Sequence, residues 1–508
     1  MSIKTSGVHF SGFKRFQGLA GALVASIGVF WIYWFTLAPT IQGFDSAELT
    51  VGAMDLGFVH PTGYPLYMLV GNLFADLPIR NIAFRLNLMS AIFGSLTILV
   101  LYVLVYQQTR RLFISMALVV LFALTPVYWS QAIRAEVYTL HTFLIVATLY
   151  CWFTAHQTQR IGWYLGCFLF LGLGLANHVT TIWIWISIII VSFSLSTRWK
   201  SFTLWASLVG LVLAGILYLY FPIRSFSDLR IDYIQPYFGI DFRNLSSLIW
   251  LVSGRAFHCF MSFPLQSTQL WINFQRLGSF LLSGSLGIGI ILSILGWNHL
   301  RRTDPLWNRL LSIYLLANIF MFLVYQVIDK EVMIIPVLII LCLWSVHGVE
   351  VFISSLSSRV KLHTTNGLYA VMSLILFIMV FLAATLDWGE ISLRNETRFY
   401  TFSSRILQTV PPNTLIISHW ATASVFDYLK LAEGKRWDVD SFNLDFYFLA
   451  GEASCSSAEE EDLGPWYAWL SDQLARRPLC FIEPLPPVPN NMNWQKQNEC
   501  WTITLLEE

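Results

Sequence analysis

Long apolar runs separated by short polar connections dominate the first 386 residues of this 508-residue chain. An apolar run of roughly 17–25 residues is long enough to cross a lipid bilayer as a helix. Counting such runs predicts about eleven spans, at 18–38, 87–106, 112–129, 137–155, 161–176, 180–196, 203–222, 277–297, 309–327, 332–352 and 367–386. The pattern therefore predicts a polytopic α-helical membrane protein.

After residue 386 the apolar runs stop, and shorter helical and strand patterns alternate along the chain. The pattern predicts helices near 396–409, 421–433 and 465–476, and strands near 414–418, 436–442 and 479–483. Such alternation is typical of a small α/β domain with a mostly parallel sheet. We therefore expect a transmembrane domain at 1–386 and a C-terminal α/β domain at 387–508.

The composition agrees with a membrane protein and argues against other classes. Hydrophobic residues make up 56% of the chain and charged residues 12%, a balance that a soluble domain of this length does not need. The formal net charge of +1 gives no reason to expect nucleic acid as a partner. The cysteines show no metal-ligand spacing, and Cys455, Cys480 and Cys500 allow one disulfide whose pairing the sequence leaves open.

Basic residues occur in alternate connections and predict the orientation of the chain in the membrane. Because positive residues favour the cytosolic side, we expect the N-terminus in the cytosol and the C-terminal domain outside. The first outer connection is then 39–86 and the long outer connection is 223–276. We expect an integral protein of a bacterial inner membrane, with most acidic residues on the outer face. The basic residues are Lys4, Lys14, Arg15, Arg110, Arg111, Arg160, Arg198, Lys200, Arg301, Arg302, Arg309, Arg359 and Lys361.

The first outer connection concentrates polar and irregular sequence beside the membrane, FDSAELTVGAMDLGFVHPTGYPLY at 44–67. Such sequence is costly near lipid, so it marks a candidate site. Asp45 and Glu48 are spaced to share one face of a helix. A carboxylate there can act as a general base, and burial would raise its pKa. The same spacing is typical of a helix N-capping box, a role compatible with the first.

A rigid turn follows in the same connection, with His60 and Tyr64 beside two prolines and a glycine. His60 can bind a phosphate or a sugar hydroxyl there, and a purely structural role is the alternative. Other outer connections also carry polar groups, and an arginine guanidinium matches phosphate oxygens or anchors the membrane edge. These groups are Arg134, Glu136, Tyr138, Asn177, His178, Arg224 and Asp329.

Charged and histidine residues from several outer connections fit a membrane enzyme that handles an anionic, lipid-linked substrate. For one pair, Arg134 and Glu136, mutual ion pairing is an equally simple explanation. In the C-terminal region Asp438-Val439-Asp440 resembles a metal motif of enzymes that use nucleotide sugars. Nucleotide sugars are scarce outside the cell, so this metal-site hypothesis fits the predicted orientation poorly.

The stretch FDSAELTVGAMDLGFVHPTGYPLYMLVG resembles the signature of a family related to protein O-mannosyltransferases, within the GT-C superfamily of membrane glycosyltransferases. Five further stretches match in order: WSQAIRAEVYTLH, GLANHVT, YFPIRS, YQVIDKEVMIIP and PPNTLIISHWATASVFDYLKLAEGKRWDVD. The resemblance runs through most of residues 20–442. Ala47 stands where the family has Gly and Thr62 where Pro is commoner, and the region around Arg255 matches loosely.

The resemblance implies a GT-C-like enzyme that takes a hexose, such as mannose, from a polyprenyl-phosphate carrier on the extracytosolic face. Asp45 matches the acidic residue of the family's first outer loop, and we expect it to deprotonate the acceptor hydroxyl during an inverting transfer. Glu48 would orient Asp45 or hold a sugar hydroxyl. Candidates for stabilising the departing phosphate are His60, Arg134 and Arg224. Further substrate-binding candidates are Tyr64, Glu136, Tyr138, Asn177, His178 and Asp329.

The resemblance leaves several partners open. The acceptor is a protein, a glycan or a lipid, and membrane lipids surround the chain in every case. Dependence on a divalent metal, Mg²⁺ or Mn²⁺, also stays open, because relatives differ and the sequence shows no dedicated metal cluster.

Two other functional classes remain as alternatives. A lipid or solute transporter or flippase would also need many spans, but such folds usually carry internal repeats with interrupted helices near the midplane. We find no repeat, and the charges lie at the outer edge. A non-catalytic subunit of an envelope glycan assembly would not need the Asp45–His60 constellation.

Overall fold

The computed structural model describes residues 12–261, 267–285, 288–327, 329–360, 365–452, 464–484, 488 and 492–505. Helices dominate the part before residue 392, and two 3₁₀ helices lie at Arg255–Phe260 and Lys330–Ile334. In chain order the α-helices there are α1 (Gly12–Thr36), α2 (Asp45–Asp55), α3 (Pro65–Ala75), α4 (Ile82–Thr109), α5 (Leu112–Ala123), α6 (Pro126–Ala132), α7 (Tyr138–Thr158), α8 (Ile161–Asn177), α9 (Thr181–Ser192), α10 (Thr197–Tyr218), α11 (Tyr220–Arg224), α12 (Gln235–Phe238), α13 (Leu245–Val252), α14 (Ser267–Ser285), α15 (Ile288–Thr303), α16 (Pro305–Val324), α17 (Ile335–Val360), α18 (Asn366–Leu386) and α19 (Trp388–Ile391).

Seven helical stretches among the described residues are long and apolar enough to cross a membrane. They are Phe16–Thr36, Ile82–Thr109, Tyr138–Thr158, Thr197–Arg224, Pro305–Val324, Lys330–Arg359 and Asn366–Leu386. Helices α5 and α6 make an eighth span if they are counted together, with a bend of 72° between them. The bend lies where Thr125 precedes Pro126, a position that disfavours helical backbone. The polytopic helical fold is thus confirmed.

The predicted count of eleven spans is not confirmed. Helices α3, α8 and α9 are apolar but shorter than 18 residues, and the run predicted at 277–297 falls across the separate helices α14 and α15. An apolar run is buried either in lipid or in protein, so its presence alone does not show that it crosses the membrane. Periodicity also does not predict where one helix ends and the next begins within a run.

Close backbone packing joins some of these helices. A Cβ atom built on Gly296 of α15 would lie 1.8 Å from the carbonyl oxygen of Trp344 on α17. A Cβ on Gly348 of α17 would likewise lie 1.9 Å from the carbonyl oxygen of Leu292. Small residues at such crossings let membrane helices approach closely.

The C-terminal region folds around a five-stranded sheet in the order β2-β1-β3-β5-β4. The two strands that flank β1 run parallel to it, whereas β5 is antiparallel to both β3 and β4. The strands are β1 (Leu415–Ser418), β2 (Asp440–Asn443), β3 (Leu479–Phe481), β4 (Met492–Gln497) and β5 (Cys500–Leu505), and the helices are α20 (Arg398–Thr409), α21 (Trp420–Leu431), α22 (Leu444–Glu452) and α23 (Gly464–Arg476).

A small C-terminal region with a sheet is therefore confirmed, with three differences from the prediction. The strand expected at 436–442 begins only at Asp440, because a turn closes between Arg436 and Val439. Helix α22 and the β4–β5 hairpin were not predicted. A disulfide links Cys480 of β3 to Cys500 of β5, whereas Cys455 lies outside the described residues. The exact division of the chain at 386 stays a prediction.

Three polar segments contact one another: the connections at 39–86 and 223–276 and the C-terminal region. The backbone N–H of Phe58 donates to Ile231 (3.1 Å), and that of Tyr233 donates back to Phe58 (2.8 Å). The Tyr233 hydroxyl in turn donates to Asp427 of α21 (2.6 Å). These contacts place the C-terminal sheet region directly against the connection that carries Asp45.

Candidate active site

Helix α2 begins without the capping box that the Asp-x-x-Glu spacing predicted. The N-cap residue is Phe44, with φ of 57° and no side-chain cap, and Asp45 is already the first helical residue. Glu48 instead turns its carboxylate toward the following turn, where Oε1 accepts a hydrogen bond from the backbone N–H of His60. The capping-box prediction is wrong because Glu48 is fully buried and satisfies a more distant part of the connection.

Glu48 is the anchor of the site. Its Oε2 lies 3.1 Å from Nδ1 of His60 and accepts a hydrogen bond from the indole Nε1–H of Trp420 (2.8 Å). A buried carboxylate is tolerated only where several donors replace water. With the backbone bond from His60, the two carboxylate oxygens meet three donor groups, so Glu48 fixes the position of the His60 ring.

His60 lies between two carboxylates and a tyrosine. Its Nε2 lies 2.8 Å from the Tyr64 hydroxyl and 3.9 Å from Oδ2 of Asp45. Burial opposes the charged form of the ring, but the nearby carboxylates of Glu48 and Asp45 outweigh it and raise the pKa of His60 to about 9. The ring is therefore an imidazolium at neutral pH, with both nitrogens acting as donors.

Asp45 is the accessible carboxylate of the group. Its side chain is 14% exposed, and within the described part of the chain it accepts no hydrogen bond. Burial raises the pKa of Asp45 to about 7, with His60 and Arg134 lowering it, and Asp329 and Glu48 raising it. A carboxylate with this pKa can take up and release a proton near neutral pH, which is what a general base requires.

The connection after α6 adds a second pair of charges. Nε of Arg134 lies 3.2 Å from Oε1 of Glu136, so the ion pair considered from the sequence does form. Burial raises the pKa of Glu136, and the neighbouring Arg134 opposes that rise. Both residues act electrostatically on the Asp45–His60 cluster, so the fold brings this connection to the site.

Aromatic rings also border the Asp45–His60 cluster. His178 stacks on Tyr64 with 5.8 Å between ring centroids and contacts Tyr138 at 5.6 Å. Burial lowers the pKa of His178 to about 4, so its ring is neutral. Asn177 points elsewhere and donates from Nδ2 to the Val137 carbonyl (3.2 Å), which supports the neighbouring connection.

Arg224 occupies a different place from the one expected for a phosphate ligand. Its guanidinium donates to the carbonyl oxygens of Leu56 and Asp55, both at 3.0 Å, at the C-terminal end of α2. A cation there satisfies carbonyls that the helix leaves unpaired. Asp329, on the connection before α17, influences the Asp45 and His60 charges from a distance. The substrate contacts proposed for all these residues stay predictions.

Two aromatic residues beside His60 were missed from the sequence, Phe257, with 6.1 Å between ring centroids, and Trp420. Trp420 lies at the start of α21 and contacts Glu48 and the His60 ring, whose centroid is 5.4 Å from that of the indole. Trp420 falls within the C-terminal stretch that resembles the family, which was the only available signal. Because 372 residues separate Trp420 from Glu48, the spacing of residues along the sequence gave no sign of this contact.

Metal ligands do not gather in the part of the chain that the structure describes: no group of three or more His, Cys, Asp or Glu side chains could hold an ion. The two carboxylates of the suspected metal motif are paired with cations. Asp438 pairs with Arg436 (2.9 Å), and Asp440 pairs with Lys430 and Arg477 (both 2.6 Å). The metal-site hypothesis for Asp438 and Asp440 therefore finds no support in their geometry.

Comparisons with known proteins find similarity over part of this chain. Residues 45–202 match the family described as the protein O-mannosyl-transferase TMEM260 N-terminal domain. The mouse protein O-mannosyl-transferase TMEM260 is 31% identical over 240 residues, which cover 43% of this chain and 34% of the mouse protein. The Dictyostelium discoideum protein of the same name is 28% identical over 128 residues, 24% of this chain and 16% of that protein. The chain thus matches about a third or less of the length of these relatives.

The fold resembles that of a solved membrane protein over nearly its whole length. The crystal structure of ArnT from Cupriavidus metallidurans bound to undecaprenyl phosphate aligns with a TM-score of 0.56, covering 95% of this chain and 98% of ArnT at 12% identity. At that identity the likeness is one of fold alone, and it agrees with the polytopic helical fold expected from the sequence. The stretch that matches the protein O-mannosyl-transferase TMEM260 N-terminal domain, residues 45–202, includes Asp45, Glu48, His60 and Arg134.

Proposed function

We propose that this protein is a membrane glycosyltransferase that moves a hexose, mannose first among candidates, from a polyprenyl-phosphate carrier to an acceptor hydroxyl. The observation that carries the proposal is the pairing of two carboxylates around His60. Glu48 is buried and saturated with donors, whereas Asp45 is partly exposed and free to exchange a proton. The names of the relatives and the undecaprenyl phosphate bound by ArnT support the substrate class.

In the proposed step Asp45 removes the proton of the acceptor hydroxyl as its oxygen attacks the anomeric carbon of the sugar. The bond from that carbon to the phosphate oxygen breaks, and its electron pair leaves with the lipid phosphate. Attack opposite the leaving group inverts the anomeric configuration. Positioned proton transfer of this kind contributes roughly a hundred- to ten-thousandfold to the rate.

His60 and Arg134 supply positive charge near the reacting groups. The His60 imidazolium is held by Glu48 on one side and keeps the neighbouring Asp45 ionised more readily than burial alone would allow. Arg134 uses Nε toward Glu136, and its side chain is 36% exposed. Its remaining guanidinium donors are suited to the oxygens of a departing phosphate.

The reaction would take place on the extracytosolic side. The three segments that carry or cover the site contact one another, and the basic residues of the other connections favour the cytosol. A bacterial inner membrane is the location expected from the sequence, and it stays a prediction.

Transfer by purified protein tests the proposal directly. The protein reconstituted in sealed proteoliposomes is incubated with labelled polyprenyl-phosphate mannose and, in separate arms, a hydroxyl-bearing peptide, an oligosaccharide and a lipid acceptor. Release of lipid phosphate in equal amount to acceptor labelling is the expected result. Movement of intact labelled lipid across the membrane, without cleavage of the sugar–phosphate bond, would instead establish a flippase. No turnover with any acceptor would favour a non-catalytic subunit.

A further inference from the structure

A polar cavity of about 380 Å³ lies in the C-terminal region. Its walls come from α21, β1, β2 and α23, with Arg230 of the long outer connection on one side. None of the residues that line it belongs to the Asp45–His60 cluster. Its volume falls within the range of small-molecule sites, roughly 300–1,000 Å³.

Charged side chains line the cavity, and they neutralise one another. Asp440 receives both Lys430 and Arg477 at 2.6 Å. Arg230 pairs with Asp55, also at 2.6 Å. A third carboxylate, Asp427, accepts hydrogen bonds from Ser441 and Tyr233 (both 2.6 Å). The lining thus holds three cations and two carboxylates, and Asp55 outside the lining pairs with the third cation, so each cation already has a carboxylate partner.

An aromatic platform stands beside these polar groups. The rings of Phe442 and Trp469 stack with 4.4 Å between centroids, and both side chains line the cavity. The amide of Gln473 also lines the cavity; its oxygen accepts from the Arg477 guanidinium at 3.3 Å and its nitrogen donates to Asp472 at 3.2 Å. A hexose has an apolar C–H face and a rim of hydroxyls, so it matches an aromatic ring flanked by planar polar side chains.

We propose that this cavity binds a neutral hexose unit of a glycan. This binding is separate from the proposed transfer reaction, because the bound hexose would be one that the acceptor already carries. Helix α21 links the two places: Trp420 contacts Glu48 at its first residue, and Asp427 and Lys430 reach the cavity further along. Seven to ten residues of helix correspond to about 10–15 Å, so an extended acceptor could reach both.

Direct binding tests this inference without any transfer assay. The full-length protein in nanodiscs is titrated with a mannose disaccharide, a glucose disaccharide, a glucuronic-acid disaccharide and inorganic phosphate, and binding is followed by saturation-transfer NMR. A neutral disaccharide is expected to bind, and phosphate is not. Preferential binding of phosphate or the acidic sugar, or no binding of either neutral disaccharide, would overturn the proposal.

Matched variants locate the binding. Arg477→Gln and Trp469→Ala are each expected to weaken sugar binding by about tenfold, the loss of one good polar or stacking contact. Their controls are Arg476→Gln, the neighbouring residue that pairs with exposed Asp472, and Trp437→Ala, an exposed indole in the same region. Equal effects in the cavity variants and their controls would contradict the assignment.

A third variant separates this inference from the proposed function. Asp45→Asn is expected to lose transfer and to bind the disaccharide as tightly as the wild type, because no cavity residue contacts Asp45. Size-exclusion profiles and unfolding temperatures exclude misfolding. If Trp469→Ala does not fold, Gln473→Ala replaces it, with an expected loss of binding in the same direction.

Discussion

The Asp45–His60 cluster and the C-terminal cavity both gather charged side chains, yet they treat carboxylates in opposite ways. In the cavity, Asp440 and Asp427 are each held by two partners. In the cluster, Glu48 accepts hydrogen bonds from His60 and Trp420, whereas Asp45 accepts none from the described residues. Saturated carboxylates hold a shape, whereas a partly buried carboxylate without donors titrates near neutrality. The difference supports the proposed proton transfer in the first region and the proposed sugar binding in the second.

The largest effect on transfer is expected when the carboxylate of Asp45 is removed. Asp45→Asn keeps the side-chain shape but cannot accept the acceptor proton, so we expect transfer to fall by roughly a hundred- to ten-thousandfold. The rate of acceptor labelling measures it. Asp241→Asn, an exposed carboxylate of the long outer connection paired with Arg243, is the control and should keep normal turnover. Wild-type rates in Asp45→Asn would remove the general-base assignment.

Removing one of the hydrogen bonds that Glu48 accepts should have the next largest effect on transfer. Trp420→Phe retains the ring but removes the Nε1–H that donates to Glu48. A hydrogen bond to a buried charged group is worth about 1.5–3 kcal/mol, so kcat should fall about 10- to 100-fold if that bond positions His60. The exposed Trp437→Phe is the matched control. A change in KM alone would point to lost substrate contact rather than to positioning.

The pH profile sharpens the roles of Asp45 and His60. The base must be deprotonated, so the rate should rise as the pH increases through about 7, the pKa of Asp45. Because the His60 imidazolium lowers the pKa of Asp45, His60→Gln should move the midpoint of that rise to higher pH. His258→Gln, an exposed histidine of the long outer connection, should leave the midpoint in place. An unchanged midpoint in His60→Gln would argue against their electrostatic coupling.

The same coupling has a consequence for stability. The pKa of His60 is raised in the folded protein to about 9 from its usual 6.5. Its contribution to stability is therefore fully present below pH 6.5 and is lost as the pH rises through 9. The unfolding temperature of the wild type should fall more than that of His60→Gln between pH 7 and 10. Parallel curves for the two proteins would contradict the raised pKa.

The smallest effect is expected at a pair that belongs to neither region. Asp472 and Arg476 form an exposed ion pair on α23. Asp472→Asn should cost about 0.3–0.5 kcal/mol of unfolding free energy and leave both transfer and sugar binding unchanged. A larger loss, measured by chemical denaturation, would mean that α23 depends on charges outside the cavity.

The sequence predicted which residues of the candidate site lie near one another, but it did not predict the contacts that they make. Asp45, Glu48, His60, Arg134 and Glu136 were all expected near one another, because the basic residues placed their connections on one face. The roles within the group came out differently: Glu48 does not cap α2, and Arg224 supports the end of that helix. Spacing predicts which residues share a helix face, but it does not predict which partner a buried carboxylate finally meets.

The sequence by itself determined the membrane class, the helical architecture and the segment that carries the candidate site, because hydrophobic runs and charge placement act locally along the chain. Only the tertiary structure decided that Trp420 lies against Glu48, that Asp45 accepts no hydrogen bond from the described residues, and that α21 joins the site to a second cavity. Those outcomes depend on contacts between residues hundreds of positions apart, and burial at such contacts sets which charge is satisfied and which stays free to react.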